Sequence, residues 1–161
     1  MHMSRLLSAL LVNSIMVLPA VAQDASGGYT DQTITDTHYR PGRLEHIVLF
    51  KFKPDITSDA KRLIVERFLG LKDSALRQGK PYIVSIVSGS QNSLEGLGKG
   101  YEQGFIVTFN SEGDRNYYVG RPAVNDPKYF DPAHEAFKHF VRPYLSESDD
   151  GVLVFDFSVG H

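Results

Sequence analysis

Cysteine is absent from the 161-residue chain, and its three methionines, Met1, Met3 and Met16, all fall near the start. No disulfide, thiolate zinc site or thiol nucleophile is therefore available. Basic runs are also missing. The 17 Lys and Arg residues stand against 19 acids, a net charge of −2, and none cluster as a nucleic-acid footprint requires. There is no GxSxG, no P-loop, no GxGxxG between a strand and a helix, and no HxH or HExxH pair. Those absences remove the usual signatures of serine hydrolases, nucleotide binders and zinc hydrolases. No apolar run approaches the roughly 20 residues that a spanning helix needs.

The first 22 residues read as a leader. Arg5 supplies a positive start, Leu6 to Leu18 is almost wholly apolar, and Ala20-Val21-Ala22 offers the small residues of a cleavage site. Cleavage after Ala22 is expected, delivering a periplasmic or secreted protein with no further membrane contact. Loss of Arg5 takes the basic residues from 17 to 16 against 19 acids, a charge of about −3. The 139 residues left, Gln23 to His161, are enough to bury a core without covalent staples.

Gln23 to Arg43 (QDASGGYTDQTITDTHYRPGR) is rich in Gly, Thr, Asp and Ser and lacks hydrophobic periodicity. It is expected to be a flexible linker, with His38 solvated. The domain proper is expected over 44–161. Leu44 to Lys53 alternates, with His46, Val48, Phe50 and Phe52 on one side and Ile47 and Leu49 on the other, so both faces of this strand are expected to be covered. Thr57 or Ser58 starts a helix to about Leu71, with Ala60, Leu63, Ile64, Phe68 and Leu71 on its buried face. Tyr82 to Ser88 and Gln103 to Phe109 read as strands around a glycine-rich loop. Ser111 opens a short helix to Tyr118, ended by Gly120-Arg121-Pro122. A last helix covers about Pro132 to Tyr144, and Gly151 to Ser158 closes the chain as a strand.

The order β-α-β-β-α-α-β is an α+β fold, a ferredoxin-like βαββαβ unit whose second crossover is divided. Such a unit has a four-stranded antiparallel sheet with helices on one face. The other face carries Ile47 and Leu49 and needs its own cover. A second copy of the chain provides it, giving a homodimer built as an α/β barrel.

In DPAHEAF, spacing of about 100° per residue puts Ala133, Phe137, Ala136 and Phe140 on one stripe. His134 falls on the flank of that stripe and His139 on the opposite side. His134 is thus expected to look into the domain, where His46 on the first strand can face it. Two imidazoles beside an apolar pocket can hold and move protons, because their ordinary pKa is near 6.5. A boundary histidine hydrogen-bonded to a carbonyl is the plainer alternative. Neither a metal nor a cofactor is expected. Tyr117, Tyr118 and Tyr129 precede His134, and a buried phenol can steady an enolate oxygen or simply pack.

Taken together, LEHIVLFKFKPDIT with its capped helix, GYEQGFIVTF, PAHEAF and VLVFDF resemble the stress-responsive dimeric A/B barrel (Dabb) domain from Leu44 to Ser158. The resemblance implies a ferredoxin-like protomer whose sheets pair into a barrel-like homodimer. Most members have no settled activity. The chain is distantly similar to the plant olivetolic acid cyclases of that family, which close a linear polyketide by aldol condensation without cofactor or metal. That similarity implies His134 as general base, His46 as its partner and Tyr118, nine residues beyond Phe109, as the enolate donor. Val48 and Phe50, on the strand side shared with His46, and Phe137, on the inward stripe of the last helix, are the expected ligand contacts.

Here Tyr118 and His134 are sixteen residues apart rather than six. The extra residues within Val119 to Phe130 make Tyr129 a second candidate tyrosine beside the pocket. Asp131 stands where the family has a histidine. Three readings follow: a binding protein for an aromatic or acyl compound, a cofactor-independent cyclase-like or lyase-like enzyme, and a stress-related structural dimer. Whether there is turnover is left open by the residues.

Overall fold

The computed structural model describes residues 28–147 and 150–160. The expected leader, its cleavage site and residues 23–27 lie outside the described residues. In chain order the elements are α1 (Asp31–Ile34), β1 (Pro41–Phe50), α2 (Ser58–Ser74), β2 (Leu76–Arg77), β3 (Lys80–Pro81), β4 (Ser85–Ser90), β5 (Gln103–Ser111), α3 (Glu112–Val119), α4 (Pro132–Val141) and β6 (Val152–Ser158). Short 3-10 turns at Pro127–Tyr129 and Arg142–Tyr144 flank α4.

Each long helix starts where a side-chain oxygen can take an orphan amide. The Thr57 side chain accepts from Ala60 N, Ser111 from Asp114 N, and Asp131 from both Ala133 N and His134 N. Pro132 follows Asp131 at the first helical position, where its missing amide costs nothing. Gly120 ends α3 with a φ of 62°, a left-handed conformation that glycine adopts without a Cβ penalty.

The main sheet has the order β4-β5-β1-β6 with every pair antiparallel. This is the ferredoxin-like α+β arrangement expected from the sequence. Helices α2 and α4 cover one face, and the core lies between. Phe68 of α2 stacks on Phe105 of β5 at 3.8 Å, while Phe50 and Phe137 meet Phe68 edge-on. Burying such a ring stabilises the fold by up to about 3 kcal/mol, so this cluster fixes the distance between helices and sheet.

The uncovered sheet face is apolar along the row Val87, Ile106, Ile47 and Phe155 and polar in the neighbouring row of Ser85, Thr108 and Glu45, which ends at Phe157. Phe155, Val87 and Phe157 are 59%, 55% and 42% exposed. In the polar row Glu45 accepts from Arg43 Nε at 2.9 Å and from Thr108 Oγ1 at 2.7 Å, and Ser85 donates to Thr108 in turn. A groove of about 710 Å³ runs over this face, past Ile47, Leu49, Leu97 and Leu153.

The segment expected as a flexible linker is ordered from residue 28 onward. Thr30 caps α1, Asn116 Nδ2 donates to the Ile34 carbonyl at 2.7 Å, and Arg77 donates to the Thr35 carbonyl. Asp31 accepts from the amides of Asn125 and Asp126 at 2.9 and 2.8 Å. The order comes from hydrogen bonds to distant residues rather than from an apolar stripe, so periodicity could not reveal it. His38 is exposed, as expected. The first strand begins at Pro41 rather than Leu44, and the polar stretch after α2 forms the β2–β3 hairpin.

Gly113 lies under this ordered arm, and a Cβ there would run into the Asp36 carbonyl. Gly113→Ala is expected to destabilise by about 1–3 kcal/mol in urea unfolding and to admit protease within 28–40 first. Gly70→Ala, with nothing within 4 Å of the added Cβ, is expected to be neutral or up to about 1 kcal/mol stabilising.

Candidate functional site

Strand register sets one half of the site. On β1, His46 lies directly opposite Val107 of β5 and Asp156 of β6, so its imidazole and the Asp156 carboxylate leave the sheet together on the helix side. They meet at 2.7 Å from Nδ1 to Oδ1. A carboxylate can only accept, so Nδ1 of His46 carries the proton. The second oxygen of Asp156 accepts from Arg115 of α3. Burial would raise the Asp156 pKa, but the hydrogen bond and charge of His46 and the Arg115 guanidinium outweigh it and hold the carboxyl below its usual range.

Helix α4 supplies the other half. The last carbonyls of α3 have no intrahelical partner, and groups from Asp131 onward satisfy them in turn. Asp131 N donates to the Tyr117 carbonyl at 2.9 Å, His134 Nδ1 to the Tyr118 carbonyl at 2.6 Å, and Lys138 Nζ to the Val119 carbonyl at 3.2 Å. A carbonyl accepts only, so His134 is the tautomer with its proton on Nδ1 and a lone pair on Nε2. The ring is 9% exposed and stacks on Tyr118 at 3.7 Å. Burial pushes its pKa down to about 3; the Tyr118 carbonyl opposes this, and the charges of Lys138 and His46 add to it. The imidazole is neutral at physiological pH.

Both histidines line one cavity of about 610 Å³ between α4, β1 and β6. Its floor is apolar, formed by Val48, Phe50, Phe68, Phe137, Val152 and Val154. One wall is Val119 and Arg121 to Ala123, from the extra segment expected to border the pocket. His134 faces inward and His139 outward, the split that the helical spacing predicts.

The two tyrosines are placed differently from expectation, since neither lines the cavity. Tyr118 is a buried wedge, stacked on His134 and edge-on to His46 at 5.8 Å. Its hydroxyl has no hydrogen-bond partner among the described residues, and burial, with the Asp131 charge, raises its pKa. Tyr129 turns to the N-terminal arm, where its hydroxyl donates to Gln32 at 3.2 Å. Arg115 escaped sequence reasoning because it meets Asp156 only through the fold; its place three residues before Tyr118 on α3 was the only signal. Asp131 caps α4 and accepts from the Tyr82 hydroxyl at 2.7 Å.

A family model described as the stress responsive A/B barrel domain matches residues 44–159. Among curated proteins no match is found. Solved structures with this fold include a protein of Arabidopsis thaliana at 21% identity and TM-score 0.58, with 73% of this chain and 96% of that chain covered. A dimeric ferredoxin-like protein of unknown function from Jannaschia sp. CCS1 aligns at 20% identity and TM-score 0.56, covering 73% and 100%. The hydroxynitrile lyase of Passiflora edulis aligns at 17% identity and TM-score 0.58, covering 75% and 96%. At such identities the likeness establishes the fold.

The neutral state of His134 has a consequence for stability. Its folded pKa lies below the unfolded value of 6.5, so below pH 6.5 the unfolded chain takes up a proton that the native state refuses. The stability is complete above pH 6.5 and is lost as pH falls toward 3. Between pH 6.5 and 4.5 the wild type is expected to lose about 2 kcal/mol more in urea unfolding than His134→Gln. Parallel losses in the two proteins would show that this ring titrates normally.

Proposed function

The chain belongs to the stress-responsive A/B barrel domain family, and from that premise we propose that it is an exported homodimer binding a small aromatic or acyl molecule between α4 and β6. The observation that carries the reading is the cavity of about 610 Å³, largely apolar and bordered by two buried imidazoles. That volume and lining match small-molecule sites in general, where a few polar groups orient a mostly apolar ligand. Each imidazole is held at Nδ1, His46 by Asp156 and His134 by a backbone carbonyl. Both Nε2 atoms are therefore left for a ligand.

Pairing of two copies through the open sheet face supports the same reading. Phe155, Val87 and Phe157 would leave water together with Leu153, and the neighbour from Jannaschia is described as dimeric. Export rests on the pattern of Arg5, Leu6 to Leu18 and Ala20 to Ala22.

A second reading, turnover, is favoured by one specific feature, the bare Nε2 of His134 beside an apolar cavity; burial lowers its basicity, so it acts as a base where the negative charge developing on the substrate pairs with the imidazolium. In it, Nε2 takes a proton from a carbon or hydroxyl acid of the substrate, giving an imidazolium that keeps its Nδ1 bond to Tyr118. The electron pair left behind settles on a substrate oxygen or expels a leaving group, and the proton returns from Nε2 at the end of the cycle. General-base steps of this kind contribute about 10² to 10⁴ in rate. The lyase from Passiflora edulis supports an enzymatic use of the fold.

Thermal-shift titration with aryl and acyl carbonyl compounds tests both readings. A compound at a hundred times its Kd is expected to stabilise the wild type by about 2.7 kcal/mol. Val154→Trp, which fills the floor from an exposed edge strand, is expected to abolish the shift. His134→Ala is expected to retain binding and, where the wild type turns the compound over, to slow it at least about a hundredfold. A cavity that stabilises with none of them would leave a structural dimer.

A further inference from the structure

The lip of the cavity carries charge of one sign. Along α4, His134, Lys138 and Arg142 follow at intervals of four, a spacing that keeps them on one edge of the helix, while Phe137 and Val141 turn to the floor. Arg121 joins them from the segment after α3, and Arg115 from α3 itself. Asp156 is the one carboxylate lining the cavity among the described residues.

These cations are not equally free. Arg115 is bound to Asp156. Lys138 holds Glu135 at 2.5 Å and the Val119 carbonyl at 3.2 Å. Arg121 lies over the Phe130 ring at 5.4 Å, and its charge joins that of Lys138 and His139 in holding the Glu135 carboxyl below its usual range. Among the described residues neither Arg121 nor Arg142 forms an ion pair, and both are exposed. The floor beneath them includes Val152 and Val154, 40% and 53% exposed on the edge strand. An apolar floor under a lip with two exposed guanidiniums outside any ion pair among the described residues fits one ligand class best. A neutral molecule leaves the charges unused, and a cation is repelled by them.

We propose that the cavity takes an amphiphilic organic oxyanion, with its aromatic or alkyl body on the Phe50, Phe137 and Val154 floor and its carboxylate or sulfonate headgroup at Arg121 and Arg142. This rests on the proposed use of the cavity as a ligand site and names the class of ligand. Guanidinium suits the task because its planar donors match an oxyanion with two parallel hydrogen bonds. The neutral imidazoles are then left for the uncharged, reactive or hydrogen-bonding part of the same molecule.

Two fluorescent probes with the same ring system separate the possibilities, anilinonaphthalenesulfonate and the uncharged N-phenylnaphthylamine. Each is titrated into the purified protein, into Arg121→Gln/Arg142→Gln and into Val154→Trp. The double variant is expected to bind the sulfonate about fivefold more weakly, on the scale of exposed ion pairs, and the neutral probe unchanged. Added salt is expected to weaken only the sulfonate, and only in the wild type. Val154→Trp is expected to lose both probes. Equal affinities of the double variant and wild type for the sulfonate overturn the anion assignment while leaving the cavity a ligand site. Failure of both probes to bind, or binding that Val154→Trp leaves untouched, overturns the cavity reading itself.

Discussion

A buried imidazole needs an acceptor for the nitrogen that carries its proton, and in this protein the acceptor for His134 is the carbonyl of Tyr118. Much of the site depends on that bond. It joins the end of α3 to the start of α4, decides which tautomer exists, and leaves the Nε2 lone pair as the ring's remaining polar atom. The bond belongs to a series in which α4 and its cap satisfy successive carbonyls at the end of α3, from Tyr117 to Val119. His134 therefore has a structural task at one nitrogen and is free for chemistry at the other. The plain reading of a boundary histidine and the functional one describe two atoms of the same ring.

His46 is held by the opposite kind of partner. Its Nδ1 faces a carboxylate, itself fixed by Arg115, whereas the buried His134 faces an uncharged carbonyl. Desolvation favours the neutral imidazole at His134, while the Asp156 carboxylate fixes the tautomer and ring orientation of His46. Tyr118 spaces the two rings. Its hydroxyl, buried without a partner among the described residues, is a cost of roughly 1–3 kcal/mol that the packing between His46, Phe109 and His134 offsets.

Much of this was legible in the sequence because it rests on periodicity and caps. The alternation in LEHIVLFKFK placed His46, Val48 and Phe50 on the helix side of β1. The wheel of PAHEAF placed His134 inward and His139 outward. Thr57 and Ser111 marked the starts of two helices because a short polar side chain before an amphipathic stretch has few other uses. What was not legible depends on pairings between distant residues. The polar arm at 28–40 gains order from Asn116, Arg77, Asn125 and Asp126, none of which its own composition announces. The same arm draws Tyr129 away from the cavity, and a register opposite His46 brings Asp156 and hence Arg115 into the site.

Nitrogen NMR of histidine-labelled protein reads directly whether His134 is a neutral imidazole with its proton on Nδ1. One protonated nitrogen, Nδ1, and one bare nitrogen, Nε2, are expected, with shifts that stay constant from pH 8 to pH 5. A titration centred near 6.5, or a proton found on Nε2 at neutral pH, would contradict that assignment.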